Sequence, residues 1–355
     1  MKSAFTARSG RSITARGAIA AVVSLLALGL AACGSKSGDA AAGGGFPGAA
    51  GGGFPGAAGG GFPGAAGGGE PVTIAHALGQ TTVNGTPARV VALGNQWLDT
   101  AQALGVTPVG YIDNIAVLSK GAPPWEPTAL AQSTALQTTG NLAEQVAALN
   151  PDLILADPFI ADAKTYGDLS KVAPTLPGLT KEAVTPWADQ VRALGQVLHK
   201  TDAAGKLIAD LNGRIDGIAQ RNPGLKNKTF ISSWLAGPSQ LMVLTDPGDG
   251  SSRLFTQLGM TIPQHLVDQG GSGGRLALSP ERLDELDADL LLAGYSPGMD
   301  EKYRGLPGFG ALPSVEKNSA VFLTVQEISA INQPTPLALP YLLDKLEPAL
   351  ANAAK

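Results

Sequence analysis

Three histidines, one cysteine and 29 acidic side chains are the raw material for chemistry in this chain of 355 residues. His76, His199 and His265 stand far apart, and none shares ligand spacing with another or sits in an HExxH pattern that would hold zinc on a helix. No GxSxG elbow exposes a serine, and GNQWL and GDGSS match neither a phosphate-cradling loop nor a dinucleotide fingerprint. Asp152, Asp287 and Asp289 lie in LNPDL and LDADL, between helical stretches and apolar runs, where turn and cap roles suit them better than acid–base work. The residues therefore do not indicate an enzyme. The aromatic residues point elsewhere. Trp97 follows RVVALGN, Tyr111 lies in PVGY, Trp125 in APPWEP, Trp234 follows TFISS and Tyr295 follows DLLLAG. Each stands where a strand ends or a loop begins, and amphipathic aromatics at such places line ligand clefts. Arg253 is taken with them as a ligand contact, and Arg275, Tyr303 and Arg304 are further candidates for an anionic ligand, with surface ion pairs as the alternative.

A cleft needs walls, and the hydrophobic pattern supplies two sets. In residues 71–185, Val72–Ile74 and Thr81–Val83 read as a hairpin, and RVVAL, PVGYI and DLILA as strands. The stretches LDTAQALGV and LAEQVAALN between them have helical spacing. The alternation recurs in residues 223–355, with strands at KTFISSW, LMVLT, DLLLAGY and SAVFLTV. Helices are expected at SSRLFTQLGM, SPERLDELD and LALPYLLDKLEPALANA. Continuous apolar strands alternating with helices predict parallel sheets covered on both faces, so the fold class is α/β with two Rossmann-like lobes. Between them, Pro186–Asn222 reads as a helical spacer, either one helix or two with a break at His199–Thr201.

Ahead of the lobes stands a different kind of sequence. Residues 1–32 carry Lys2, Arg8, Arg11 and Arg16, then the apolar run AIAAVVSLLALGLAA, a secretory signal pattern too short for a free-standing membrane span. It ends in LAAC, which resembles the lipobox of bacterial lipoproteins and marks Cys33 for lipidation. One cysteine permits no disulfide within the chain. Cleavage before Cys33 removes those four basic residues, taking Lys+Arg from 25 to 21 against 29 acids and the net charge from −4 to about −8. Such a domain has no electrostatic footprint for nucleic acid or for anionic lipid, so attachment to a membrane must be covalent. Residues 33–70 contain GGGFPGAA three times, at 43–50, 51–58 and 59–66. One phenylalanine in eight residues buries too little area to order so much glycine, which predicts a tether with a root-mean-square span of about 30–37 Å. The Phe-Pro units as adhesive contacts are the rival reading.

The phrases VTIAHALGQTTVNGTPARVVAL, ALGVTPVG, NLAEQVAALNPDLILA, LSPERLDELDADLLLAG and QPTPLALPYLLDKL occur in this order across the folded part. As an ordered set they resemble the iron–siderophore and cobalamin group of ABC-transporter substrate-binding proteins, whose two lobes are bridged by a long helix. The resemblance implies an extracytoplasmic, lipid-anchored monomer that captures a ferric siderophore between its lobes and delivers it to a permease dimer with its ATPase. It implies no intrinsic cofactor or metal. By motif, the family's permease-docking carboxylates fall on Glu144 in NLAEQVAALNPD and Glu281 in LSPERLDELDAD. Haem, with Tyr111, Tyr166 or Tyr295 as axial candidates, and cobalamin are alternative ligands. A scaffold lipoprotein without a permease is the non-transport alternative.

Overall fold

The computed structural model describes residues 68–182, 184–270 and 273–355. The signal peptide expected at 1–32, Cys33 and the three repeats lie outside the described residues. In chain order the first lobe contains β1 (Val72–His76), β2 (Gly79–Val83), β3 (Val90–Leu93), α1 (Asn95–Ala103), β4 (Gly110–Ile112) and α2 (Asn114–Ser119). It continues with β5 (Thr134–Ala135), α3 (Leu142–Ala147), β6 (Leu153–Ala156), α4 (Ala163–Leu169) and β7 (Thr175–Leu176). The sheet runs β5-β4-β3-β6-β7, all parallel, and β1 and β2 form a separate antiparallel hairpin. Strands β3 and β6 are buried at every residue, as their unbroken apolar sequences VVAL and LILA require. Each such aliphatic side chain contributes about 1.5–3 kcal/mol through burial, so a charged residue at Leu155 would break this lobe.

The spacer divides at the place the sequence allowed, into α5 (Trp187–Val197) and α6 (Thr201–Arg221), with His199 at φ 53° in the turn. Val191, Leu194 and Val197 of α5 belong to the first lobe's core. Helix α6 joins that core at Ala204 and the second lobe's core at Leu211, Ile215 and Ile218, so α6 is the bridge. Gly195 lets the two helices meet: a Cβ there would lie 2.4 Å from the Cβ of Ala204.

The second lobe has β8 (Phe230–Gly237), β9 (Gln240–Leu244), α7 (Arg253–Gln257), α8 (Gln264–Gln269), β10 (Arg275–Leu278) and β11 (Leu290–Tyr295). It ends with α9 (Asp300–Arg304), α10 (Pro313–Glu316), β12 (Ala320–Leu323), α11 (Val325–Asn332) and α12 (Ala338–Ala353). Its order is β10-β9-β8-β11-β12, and here the expectation of a parallel sheet needs correcting. LMVLT returns as an antiparallel partner of β8, because only Pro238 and Ser239 separate the two strands and a parallel crossover needs a dozen residues or more. SPERLDELD is likewise a 3₁₀ segment at Pro280–Leu286, interrupted at Arg282, whose φ −98° and ψ 41° lie outside the helical region.

The two lobes share a small device at the base of their sheets. Asp152 accepts the amides of Ala88 and Arg89 ahead of β3, both at 2.8 Å, and Asp289 accepts the amide of Thr229 ahead of β8 at 3.0 Å. LNPDL and LDADL thus place equivalent carboxylates that fix where each central strand begins, in agreement with a structural role for these acids.

Candidate functional site

At the carboxyl end of β3 the chain turns through Gly94 at φ 108° into α1. A side chain there is impossible, since a Cβ would sit 2.2 Å from Oδ2 of Asp157. Asp157, just past β6, accepts the amides of Gln96 and Trp97 at 3.0 and 3.2 Å, capping α1 from a neighbouring strand. Burial pushes its carboxyl up to about 7 against the opposing pull of those two amides. Asp113, just past β4, caps α2 at Ala116 and accepts from Asn95 Nδ2 at 2.6 Å. Glu126 stands beside it; burial and then Asp113 raise its carboxyl, and burial, Glu126 and Asp113 raise the phenol of Tyr111. The first lobe therefore presents acids and one tyrosine at the carboxyl ends of its strands.

The second lobe meets this end directly. Gln326, in the first turn of α11 just past β12, donates Nε2 to Oγ of Ser119 and to the carbonyls of Gly121 and Ala122, at 3.0, 3.0 and 3.1 Å. Trp125 donates Nε1 to Oδ2 of Asp99 at 3.2 Å, and its ring lies 5.6 Å from that of Tyr341 in α12. Thr335 donates its hydroxyl to the same Asp99 oxygen. Burial raises Asp99 to about 7; Thr335 and Trp125 lower it, and Asp113 and Asp157 add to the rise. Helices that follow β4 and β12 thus touch, and the carboxyl ends of both sheets share one junction.

The expected ligand residues separate around this junction. Tyr111 is half-buried against Leu98 and Leu130. Trp234, near the end of β8, is half-buried and donates Nε1 to Ser296 Oγ at 3.2 Å. Tyr295, the last residue of β11, lies beside Phe322 with ring centroids 6.5 Å apart, and Arg304 stacks on the other partner of that group, its guanidinium carbon 3.3 Å from the Phe322 centroid. Trp125 is a link between lobes. Trp97 is a correction: it has no exposed surface and packs in the first lobe's core, because entry into α1 turns its ring under the sheet rather than over it. Tyr303 is also core, its hydroxyl 2.7 Å from Ser233 Oγ. Arg253 is exposed, 3.8 Å from Glu182, and borders a separate crevice of about 160 Å³ with Thr185, Trp187, Asn212 and Pro334, so the structure does not bring it to the aromatic group. Arg275 is paired with Asp249 at 2.9 Å. Sequence reasoning missed Phe159, 48% exposed just past β6, and Val117, 74% exposed on α2. Both are apolar side chains left open at the carboxyl end, detectable only once the strands are placed.

Glu144 and Glu281 occupy matching positions. Each is exposed in the first turn of the helical segment leading into the strand beside the central one, β6 or β11, behind a capping Asn141 or Ser279. Those segments run antiparallel to their strands, so both carboxylates sit at the carboxyl-end pole. Among the described residues neither is in an ion pair.

Two α/β lobes, a bridging helix and a junction at the strand ends define a two-lobed ligand-binding protein. A sequence profile of the periplasmic binding protein family matches residues 90–326, and the chain belongs to that family. It is 28% identical over 230 residues to a probable siderophore-binding lipoprotein, YfiY, of Bacillus subtilis, covering 62% of this chain and 67% of the relative. It is 29% identical over 226 residues to the Fe(3+)-citrate-binding protein YfmC of the same organism, with the same coverages. A periplasmic solute binding protein from Mycobacterium smegmatis superimposes with a TM-score of 0.68 and 29% identity, covering 80% of this chain and 99% of that one.

Proposed function

We propose that this chain captures a ferric siderophore or a similar iron complex between its lobes and presents it to an ABC permease in the membrane that carries its anchor. The observation that supports this most is that Tyr111 and Phe159 on one lobe and Trp234 and Tyr295 on the other stand at or near the carboxyl ends of their sheets, ends that Gln326 links through Ser119, Gly121 and Ala122. Aromatic walls enclose the apolar rim of an iron chelate, and Arg304 beside Tyr295 and Phe322 supplies a cation for its oxygens. Relatives whose names specify siderophore and ferric-citrate binding favour this cargo over haem or cobalamin. Iron enters as cargo already chelated, so the protein recognises the complex and carries out no conversion.

In this reading Cys33 is the lipidated residue, Glu144 and Glu281 are the two anionic knobs that orient a monomer on a basic permease rim, and an ATPase drives release. The test is fluorescence titration with ferric citrate, ferrichrome, a ferric catecholate, haem and cobalamin. Saturable quenching of Trp234 by a ferric siderophore or ferric citrate is expected. Quenching by haem or cobalamin alone would overturn the cargo assignment, and silence across the panel would overturn the receptor reading.

A further inference from the structure

The turn that follows α2 is pinned to both lobes. Lys120 closes the helix at φ 60°, and the chain runs on through Gly121, Ala122, Pro123 and Pro124 to Trp125 and Glu126. Its own lobe holds it through Ser119, whose hydroxyl lies 2.8 Å from the carbonyls of Ile115 and Gly121, and through the Trp125 indole on Asp99. The second lobe holds it twice as well. Gln326 Nε2 reaches Ser119 and the carbonyls of Gly121 and Ala122, and Tyr341 packs on Trp125. Between these grips two successive prolines fix φ, so a shift at 121–122 is passed on to Trp125 rather than absorbed. At the far end of the segment Glu126 stands beside Asp113 and Tyr111, at the first lobe's wall of the cleft.

The grips differ in kind. Thr335 and Asp99 are 1% and 3% exposed, so water cannot take the place of either partner and their bond is costly to break. Gln326 is half-buried, and Gly121 and Ala122 are exposed. Water can satisfy those two carbonyls as the amide leaves, and a hydrogen bond exchanged for water is worth little net. The amide also has only two protons for its three acceptors. Its mounting, by contrast, is firm. Glu327 forms a capping box with Thr324 and accepts from the Tyr341 hydroxyl at 2.9 Å and Lys345 Nζ at 2.6 Å, which ties the first turn of α11 to α12. A fixed donor facing exposed acceptors on a stiffened loop is built to make and break.

We infer that residues 119–127 form a strap between the lobes and that Gln326 is its catch: made, it holds the two strand-end faces together; broken, it lets them part about the buried bond of Thr335 with Asp99, so that cargo can pass. This rests on the cargo reading above. The catch grips a lobe and not the cargo, so it acts as a gate on entry and exit alike. Bonds of this exposed kind favour the closed form by about five- to thirtyfold, which leaves about 3–20% of the molecules open. Removing the catch brings the two forms near parity. Both passage rates then rise by about three- to fifteenfold, and the ratio that sets affinity stays where it was.

The test compares the full-length chain with Gln326→Leu, which has no donor, and Gln326→Glu, which turns a carboxylate toward the two carbonyls. Stopped-flow tryptophan fluorescence with ferric citrate and with ferrichrome reads association and dissociation. Hydrogen exchange of the cargo-free proteins reads the strap. In both variants the two rates should rise together by about three- to fifteenfold, with Kd within about threefold of wild type. Amides of 119–127 should exchange faster, while those of β3 and β8 keep their wild-type protection. Unchanged rates in both variants overturn the inference. So does faster dissociation with unchanged association, which makes Gln326 a cargo contact, and so does faster exchange throughout both lobes, which makes it a structural weld. If neither iron complex binds the unaltered chain, the cargo reading fails by itself. Exchange then decides the catch alone: faster exchange confined to 119–127 in both variants supports it, and unchanged exchange there overturns it.

Discussion

The indole N–H of Trp125 reaches Asp99 Oδ2 at 3.2 Å while the same ring packs against the far lobe at Tyr341. One side chain thus ties the 120–127 loop to α1 and to α12. With Thr335 on the same oxygen, Asp99 becomes the hub of the lobe junction. Trp125→Phe keeps much of the packing but removes a donor from a buried carboxylate, which should cost about 1–3 kcal/mol in urea unfolding. An unchanged midpoint would show that the junction does not depend on this bond.

Asp99 also makes stability depend on pH, with a definite sign. Its carboxyl titrates near 7 in the folded chain against an ordinary 3.8, as does that of Asp157, in both cases chiefly because of burial. Between about pH 4 and 7 the unfolded chain has already lost these protons while the folded chain keeps them, so their contribution to stability falls as pH rises through that window. Asp99→Asn retains a carbonyl oxygen for Trp125 and Thr335 without the charge. Its melting temperature should exceed wild type by about 2–4 °C at pH 8, and the advantage should shrink as pH falls and vanish near pH 4. A constant offset at both pH values would contradict the assignment.

The walls of the cleft separate by substitution. Trp234→Ala and Tyr295→Ala should each weaken binding of the cognate iron complex about 10–100-fold, equivalent to about 1.4–2.7 kcal/mol. Trp97→Phe should leave affinity within about twofold and lower stability instead, because Trp97 is core. Isothermal titration of the three variants distinguishes wall from core, and equal losses from all three would reject the division.

Docking makes a complementary prediction. Glu144→Ala together with Glu281→Ala should reduce uptake at least tenfold at low ionic strength while ligand affinity stays within about twofold, since both side chains are exposed and neither is among the aromatic walls. Uptake at the wild-type rate would remove both residues from the permease interface.

Much of this molecule was legible in its residue order, and the exceptions have physical reasons. The runs VVAL, LILA and LLLAG carry no polar side chain, and they proved to be buried interior strands. The break at His199 could be anticipated beside a single long helix, but only the contacts of α6 with both cores identify it as the bridge. The antiparallel turn of LMVLT escaped notice because its apolar pattern carries no direction. The site was harder to read. A tryptophan after a strand has the same sequence appearance whether its ring stays half-buried, as at Trp234, or is wholly enclosed in the core, as at Trp97. Asp99 and Thr335 lie 236 residues apart in sequence and are brought together only by the lobe junction. Asp152 and Asp289, in contrast, stood in matching phrases, and they hold matching backbone amides.

The central claim is that an iron complex sits between the carboxyl ends of the two sheets, and anomalous diffraction at the iron edge from crystals grown with the tightest-binding ferric complex tests it most directly. The account predicts one strong iron peak per chain between the lobes, with the chelate in contact with Trp234 and Tyr295 on one side and Tyr111 on the other. An iron peak on the outer surface, or in the crevice beside Arg253, with the space between the aromatic walls filled only by solvent, would contradict it.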